Sequence, residues 1–423
     1  MKNLLKTLGP GILFASTAIG VSHLVQSTQA GANFGFTMIF AIVLANLFKY
    51  PFFEFGSRYA NATGKSIISG YADLGKWALL LYFIITLISM FLVTAAVGYV
   101  TSAFMQKLFG LDDILLTTGI VFIVCLTILI SDNFKLLDGL IKIIAITLLL
   151  STLIAFIMVL MKGPQGNEPL FSFDNVNREG FILFLIPLMG WMPTAVDLSA
   201  WNSLWTLERI KQTGYYPKLK ETLFDFNLGY LLSAVLSICF LTLGTFVMFG
   251  TGKTFSDSPV GFSGDVINLY TSTFGEWAYW IIAISAFSIM FGTCIAVFDG
   301  YSRAMTAIIQ LVVPNKTDDD QNLSNKKTYR ILLIVISLGA FFLIYLFLPS
   351  KENPKAFKQM VNISTSISFI LAPIIAVLNL ILVGKKHVGI ENTPPLWIKI
   401  IAWMGIIFLF VFSILYIFLD QII

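Results

Sequence analysis

The stretch Pro187-Leu188-Met189-Gly190-Trp191-Met192-Pro193-Thr194 lies in the middle of an apolar run over 180–205, and it decides the fold. Pro193 brings no amide hydrogen and its ring collides with the preceding helical turn. Gly190 weakens the helix on the other side of Trp191. Asp197 follows about one turn later. A run long enough to cross a bilayer is therefore predicted to break near its centre, over 190–194. The first apolar run, 9–30, carries a similar fault. It enters with Gly9-Pro10-Gly11 and then places Ser16, Thr17, Gly20, Ser22 and His23 in its interior. Hydroxyl side chains compete for backbone partners, and a mid-membrane histidine is costly unless it faces protein or water. A second break is predicted over 19–23.

Both runs belong to a chain whose composition excludes a soluble domain. Of 423 residues, 57% are hydrophobic and 12% charged, with a mean hydropathy of +0.85. Soluble domains carry about a quarter charged residues, so the solvent for most of this surface is lipid. Aromatics reach 14%, including 39 phenylalanines, which suits lipid-facing and interfacial surface. Cys125, Cys239 and Cys294 all sit inside apolar runs without metal-ligand spacing and read as small buried side chains. The start, Met1-Lys2-Asn3-Leu4-Leu5-Lys6, shows no cleavage site and reads as a mature N-terminus.

A membrane helix needs about 20 apolar residues. Eleven runs qualify, near 9–30, 34–58, 76–106, 113–131, 136–162, 180–205, 222–250, 275–312, 328–349, 357–384 and 396–419. They are called spans 1 to 11 below. Span 8 exceeds a bilayer and is expected to tilt or to continue beyond it. With the N-terminus in the cytoplasm, the connections on that side hold nineteen lysines and arginines against seven on the other. Lys49, inside span 2, completes the 27 basic residues. The bias predicts N-terminus in and C-terminus out, in a plasma (inner) membrane. The segment 315–327, with Asp318-Asp319-Asp320, reads as a solvated cytoplasmic loop rather than a cation site. The stretch 206–221 mixes apolar and basic residues and reads as a linker on the inner membrane surface.

Spans 1 and 6 open two consecutive sets of five, with span 11 added. Interrupted helices at matching positions of two halves point to the binding site of a transporter. The expectation is one transmembrane domain over 1–423. Repeat one covers about 9–162, repeat two about 180–384, and an extra helix about 396–419. Glu54 with Arg58, and Asp299 with Arg303, stand at i, i+4 and read as local pairs at the cytoplasmic boundary. Lys49 either snorkels or pairs with Glu54.

Gly9-Pro10-Gly11, then Gln29-Ala30-Gly31-Ala32 and Leu44-Ala45-Asn46-Leu47, resembles the opening of the Nramp family of divalent-metal transporters, the first two motifs at ungapped spacing. Met192-Pro193 is similar to that family's Met-Pro-His. The resemblance implies an all-α membrane protein with eleven transmembrane helices, built as a LeuT-like inverted five-plus-five repeat with helices 1 and 6 broken. It also implies secondary active transport and no cofactor.

The departures fall on the chemistry. The family's metal-binding Asp-Pro-Gly-Asn aligns with Gly20-Val21-Ser22-His23, so the Asp is Gly20 and the Asn is His23. The metal-binding Met is kept as Met192. The alanine whose carbonyl assists is Met189, the histidine after Met-Pro is Thr194, and a span 10 Gln corresponds to Thr365. The family's acidic pair in span 3 has no counterpart, because Leu79 to Phe104 carries no charge. Two functions follow. In the first, His23 and Met192, with Met189 beside them and Asp197 as charge, hold a transition metal ion in an altered site, since nitrogen and thioether ligands suit softer metals. In the second, the site without its carboxylate carries a small solute or a monovalent ion, a helix start beside Gly20 and Ser22 receives an anionic group, and His23 and Asp197 serve coupling. A non-transporting receptor on the same scaffold is a third class. No Ser-His-Asp order, metalloprotease motif or phosphate loop points to an enzyme, nothing implies a nucleic-acid partner, and the oligomeric state is not encoded legibly.

Overall fold

A computed structural model describes residues 6–131, 134–172, 174, 180–256, 258–312, 326–348 and 355–418. Among these residues the secondary structure is helical, with no strand. Eight stretches are long and apolar enough to cross a membrane. One of them, Pro10–Thr63, contains spans 1 and 2. Ile114–Ile130 and Leu149–Lys162 are shorter apolar helices within spans 4 and 5.

Span 1 is three pieces. Helix α1, Pro10–Ala18, ends at Ile19, a wide π-helical turn covers Val21–Ser27, and α2 continues over Thr28–Phe34. Helices α3 (Ile39–Thr63), α4 (Ile67–Leu74), α5 (Lys76–Phe109), α6 (Ile114–Ile130) and α7 (Phe134–Lys162) complete the first half. Span 6 is again broken: α8, Phe181–Trp191, stops before Met192, a single 3-10 turn covers Val196–Leu198, and α9 resumes over Ser199–Thr213. Then follow α10 (Leu219–Val247), α11 (Pro259–Phe274), α12 (Tyr279–Val312), α13 (Lys326–Leu346), α14 (Ala356–Leu382), α15 (Lys385–Val388) and α16 (Leu396–Ile417).

Both predicted breaks exist, with shifted edges. The first is centred on Ile19 and Gly20, where Gly20 takes φ −136 and ψ −125. The second lies over Met192–Ala195, so Gly190 and Trp191 remain helical, and the Met192–Pro193 peptide is cis. Span 8 is, as expected, over-long, with 34 residues in α12. Of the surface linker expected over 206–221, the first half is the end of α9, which runs to Thr213, and a short turn then leads into α10 at Leu219. The apolar face that suggested a surface linker instead continues the helix. The acidic loop of 315–327 lies almost wholly outside the described residues.

The core is organised around the seam between span 1 and α10. A Cβ on Gly11 would meet Asp225 O at 1.9 Å, and one on Gly229 would meet Gly11 O at 1.9 Å. At the other end, a Cβ on Gly31 would meet Leu241 O at 2.0 Å, and one on Gly244 would meet Thr28 O at 2.0 Å. Missing side chains let the backbones touch, which is how helices associate where lipid gives no hydrophobic drive. Phe14 stacks on Tyr230 at 5.5 Å along this seam. The Asp225 carboxylate accepts hydrogen bonds from the amides of Gly9 (3.0 Å) and Gly11 (2.7 Å), so it caps the start of α1. The i, i+4 pairs form as read. Glu54 and Arg58 join, and Arg58 also donates to Asn392 O. Arg303 reaches Asp299 at 2.8 Å, where Trp205 and Tyr329 donate as well.

Candidate functional site

At the first break the chain frees carbonyls and a neighbouring helix answers with a hydroxyl. Thr293 of α12 donates from Oγ1 toward Ser16 O at 2.8 Å, with Ile19 O at 3.3 Å and Ile289 O at 3.2 Å also in range. Thr293 also bounds Gly20: a Cβ there would lie 2.7 Å from both Thr293 Oγ1 and Cγ2. Position 20, where the family resemblance implies a carboxylate, therefore has no room for one unless Thr293 gives way.

Ser22 and His23 divide. Ser22 Oγ lies 2.7 Å from Ala18 O, 3.2 Å from Pro193 O and 2.8 Å from His23 Nδ1, so it bridges the two breaks. His23 is fully buried and points toward α10, with Nε2 at 2.9 Å from Ser233 O and 3.1 Å from Ser233 Oγ. A carbonyl can only accept, so that bond places the hydrogen on Nε2, and Nδ1 is left to accept from Ser22. Both ring nitrogens are thus engaged by serines.

The second break is filled by a residue that the sequence reading had set aside. Pro193 cannot donate to Met189 O, its i−4 carbonyl, and the helix has ended before a donor could reach Gly190 O. The ammonium of Lys49, from the middle of α3, takes these oxygens: Nζ lies 2.5 Å from Met189 O, 2.8 Å from Gly190 O and 3.4 Å from Thr194 O. Lys49 has no solvent exposure, so it does not snorkel. It does not pair with Glu54 either, whose carboxylate is taken by Arg58. Asp197, on the turn after the break, acts on Lys49 through space and lies within electrostatic reach of the phenols of Tyr71, Tyr82 and Tyr301.

Between the breaks lies a cavity of about 20 Å³, close to the volume that one water occupies. Thr17, Ser22, Thr194 and Thr293 give it hydroxyls, while Val21, Val93, Val97, Trp191, Ala195, Leu198 and Val297 give it apolar walls. Of the residues singled out from the sequence, Thr17, Ser22, Trp191 and Thr194 meet here. Gly20 packs on Thr293, which itself lines the cavity. Met192 and Met189 are buried, and Met189 presents its carbonyl to Lys49. Thr365 turns its hydroxyl back to Val361 O and Asn362 O of its own helix, and its carbonyl sits against Gly190. Among the described residues no group of three His, Cys, Asp or Glu side chains could hold a metal. Lys49 and Thr293 are the two residues missed. A lone lysine inside an apolar span was the available signal for the first, and a threonine in a helix with no other irregularity gave none for the second.

The chain is 35% identical over 418 residues to an uncharacterised protein of Pasteurella multocida, covering 97% of this chain and 91% of that one. It is 21% identical over 420 residues to a divalent metal cation transporter of Levilactobacillus brevis, covering 95% and 85%. Its fold is similar to that of a manganese transporter of Eremococcus coleocola at TM-score 0.70 and 15% identity, over 98% and 86% of the two chains. It is also similar to MhsT, solved in complex with L-phenylalanine, at TM-score 0.59 and 12% identity, over 96% and 98%. The family model for natural resistance-associated macrophage protein-like sequences matches residues 11–419. The chain belongs to the Nramp family.

Proposed function

We propose that this protein is a secondary active transporter whose substrate passes between the two breaks, and that the substrate is a small polar solute, neutral or anionic, rather than a bare divalent metal ion. One observation carries the choice: the ammonium of Lys49 already holds the carbonyls of Met189 and Gly190. Two unit charges about 4 Å apart interact by roughly 4 kcal/mol at an effective dielectric near 20. A divalent ion at that distance from Lys49 would meet about twice that in repulsion; Asp197 offsets part of it, and Gly20 adds no second carboxylate. The cavity as it stands holds about one water, so a solute requires the two breaks to move apart, and the hydroxyls and valines that line it would then face a solute with hydrogen-bonding atoms on a small apolar frame. The basic bias of the connections supports a cytoplasmic N-terminus.

A second reading keeps the metal. Met192 is buried at the break where the family resemblance implies a thioether ligand, and relatives of this chain include a divalent metal cation transporter. This reading requires Lys49 to leave its carbonyls as metal enters. Proteoliposome uptake separates the two. Manganese, iron, zinc and magnesium are expected to show no saturable uptake, while a screen of small carboxylates, amino acids and polyols is expected to yield a transported solute. Saturable manganese uptake by the unmodified protein would restore the metal reading.

A further inference from the structure

The geometry points to a cation site in the break of span 6, formed by the carbonyl oxygens of Met189, Gly190 and Thr194, which the protein fills with its own lysine. Small cations of the ammonium and alkali class are the ligands of this site whenever Lys49 is removed.

Three oxygens converge on one Nζ at 2.5, 2.8 and 3.4 Å. Carbonyls only accept, so Nζ is the donor in all three contacts, and the charged ammonium is the form that can serve the three at once. The oxygens are available for reasons local to the sequence. Pro193 deletes the donor for Met189 O, and the end of α8 at Trp191 orphans Gly190 O. The negative end of the α8 dipole lies at the same place and favours a cation. Phe369 of α14 contributes its ring, with Nζ 6.0 Å from the centroid, at the outer limit of a cation–π contact. Asp197 supplies the one carboxylate that acts on Lys49.

This set of ligands is mostly neutral oxygen dipoles, with one charge at longer range. Rings of backbone carbonyls replace the hydration shell of monovalent ions in selective pores. A site of that kind opened to a free ion would take potassium, sodium or ammonium. Here the cation is tethered by a covalent stem, so no ion has to be recruited from solution to hold the broken ends together. The site stands whichever solute the transporter carries, so a failed flux assay leaves it untouched.

The test is thermal unfolding of purified Lys49→Ala in chloride salts of methylammonium, ammonium, potassium and sodium, with N-methylglucamine chloride at equal ionic strength as the control. Ligand binding to the folded state raises the melting temperature in a saturable way. Methylammonium, the closest mimic of the lost side-chain end, is expected to raise that of Lys49→Ala by several degrees and to leave the unmodified protein unmoved. No cation-specific rise in the variant, or an equal rise in both proteins, would overturn the site. If Lys49→Ala cannot be purified, Lys49→Val carries the same test, since it too lacks a donor and leaves the three carbonyls open. If neither folds unaided, recovery by methylammonium in the growth and purification media supports the site, and no recovery overturns it.

Discussion

The two breaks solve one problem with different chemistry. Both leave backbone carbonyls without helical donors inside a membrane protein, where each unpaired group is costly. In span 1 the answer is neutral: Thr293 donates toward Ser16 O, and the single hydroxyl hydrogen of Ser22 lies within reach of Ala18 O, Pro193 O and His23 Nδ1. In span 6 the answer is charged: Lys49 serves Met189, Gly190 and Thr194 at once. A hydroxyl satisfies an orphan carbonyl and leaves the site's electrostatics nearly unchanged. A buried ammonium does the same and also adds a positive charge to its surroundings. The half where the family resemblance implies a carboxylate is thus the neutral half, and the half that carries Met192 holds the charge.

If that contrast is right, the largest loss comes from span 6. Lys49→Met keeps the length of the stem and deletes the charge and all three donors. Hydrogen bonds to charged groups contribute about 1.5–3 kcal/mol each, and partial rehydration offsets some of the loss, so a destabilisation of about 3 kcal/mol or more is expected. Unfolding in detergent measures it. A variant as stable as the parent would show that Lys49 does not secure the break.

Next in size is Gly20→Asp. The added Cβ meets Thr293 at 2.7 Å, and overpacking of this kind costs about 1–3 kcal/mol. Restoring the family's carboxylate alone should therefore destabilise the protein and leave manganese binding weak. Gly20→Asp with Thr293→Ala should recover the stability, and calorimetry on the pair should then show whether Lys49 still repels the metal. Tight manganese binding by Gly20→Asp alone would mean that Thr293 yields easily and that Lys49 is no barrier.

Much of the fold was legible because helix breakers inside long apolar runs have few other meanings. Pro193 and the Gly20-Ser22 region located both interruptions to within a few residues. Their edges were not legible, because Gly190 and Trp191 stay helical under packing from α14, where Thr365 O closes on Gly190. The site was legible in part. Ser22 and Thr194 were named for their place in the breaks, and both reach the cavity. Lys49 was read by its own helix, with Glu54 five residues away as a partner, whereas its real partners are 140 to 145 residues distant in sequence. Pro193 marks the orphaned carbonyls, but nothing in the sequence says which distant donor meets them. The same holds for Thr293, whose role exists only because Gly20 packs against it.

A smaller effect is expected in span 1. Thr293→Val preserves shape and removes the donor to Ser16 O. One neutral hydrogen bond contributes about 1 kcal/mol, so the melting temperature should fall modestly. A loss as large as that of Lys49→Met would erase the distinction between the neutral and the charged break.

The smallest effect is expected at His23, and it bears on the metal reading most directly. The imidazole joins Ser22 at 2.8 Å to Ser233 O at 2.9 Å, so it ties the first break to α10. A neutral strut of this kind needs one donor and one acceptor at opposite ends. Glutamine supplies both: its amide nitrogen can donate to Ser233 O while its oxygen accepts from Ser22. His23→Gln should therefore cost less than about 1 kcal/mol, whereas His23→Leu should cost about 1–3 kcal/mol by orphaning the serine groups. Transport separates the strut from a metal ligand. A glutamine amide is a poor replacement for an imidazole nitrogen on a transition metal, so if His23 binds a transported metal, His23→Gln must lose flux while it keeps its stability. The hydrogen-bonding geometry predicts the opposite: unchanged substrate preference and near-parental flux per folded protein in His23→Gln. Loss of both flux and selectivity in that stable variant would move His23 from the frame of the first break into the site itself.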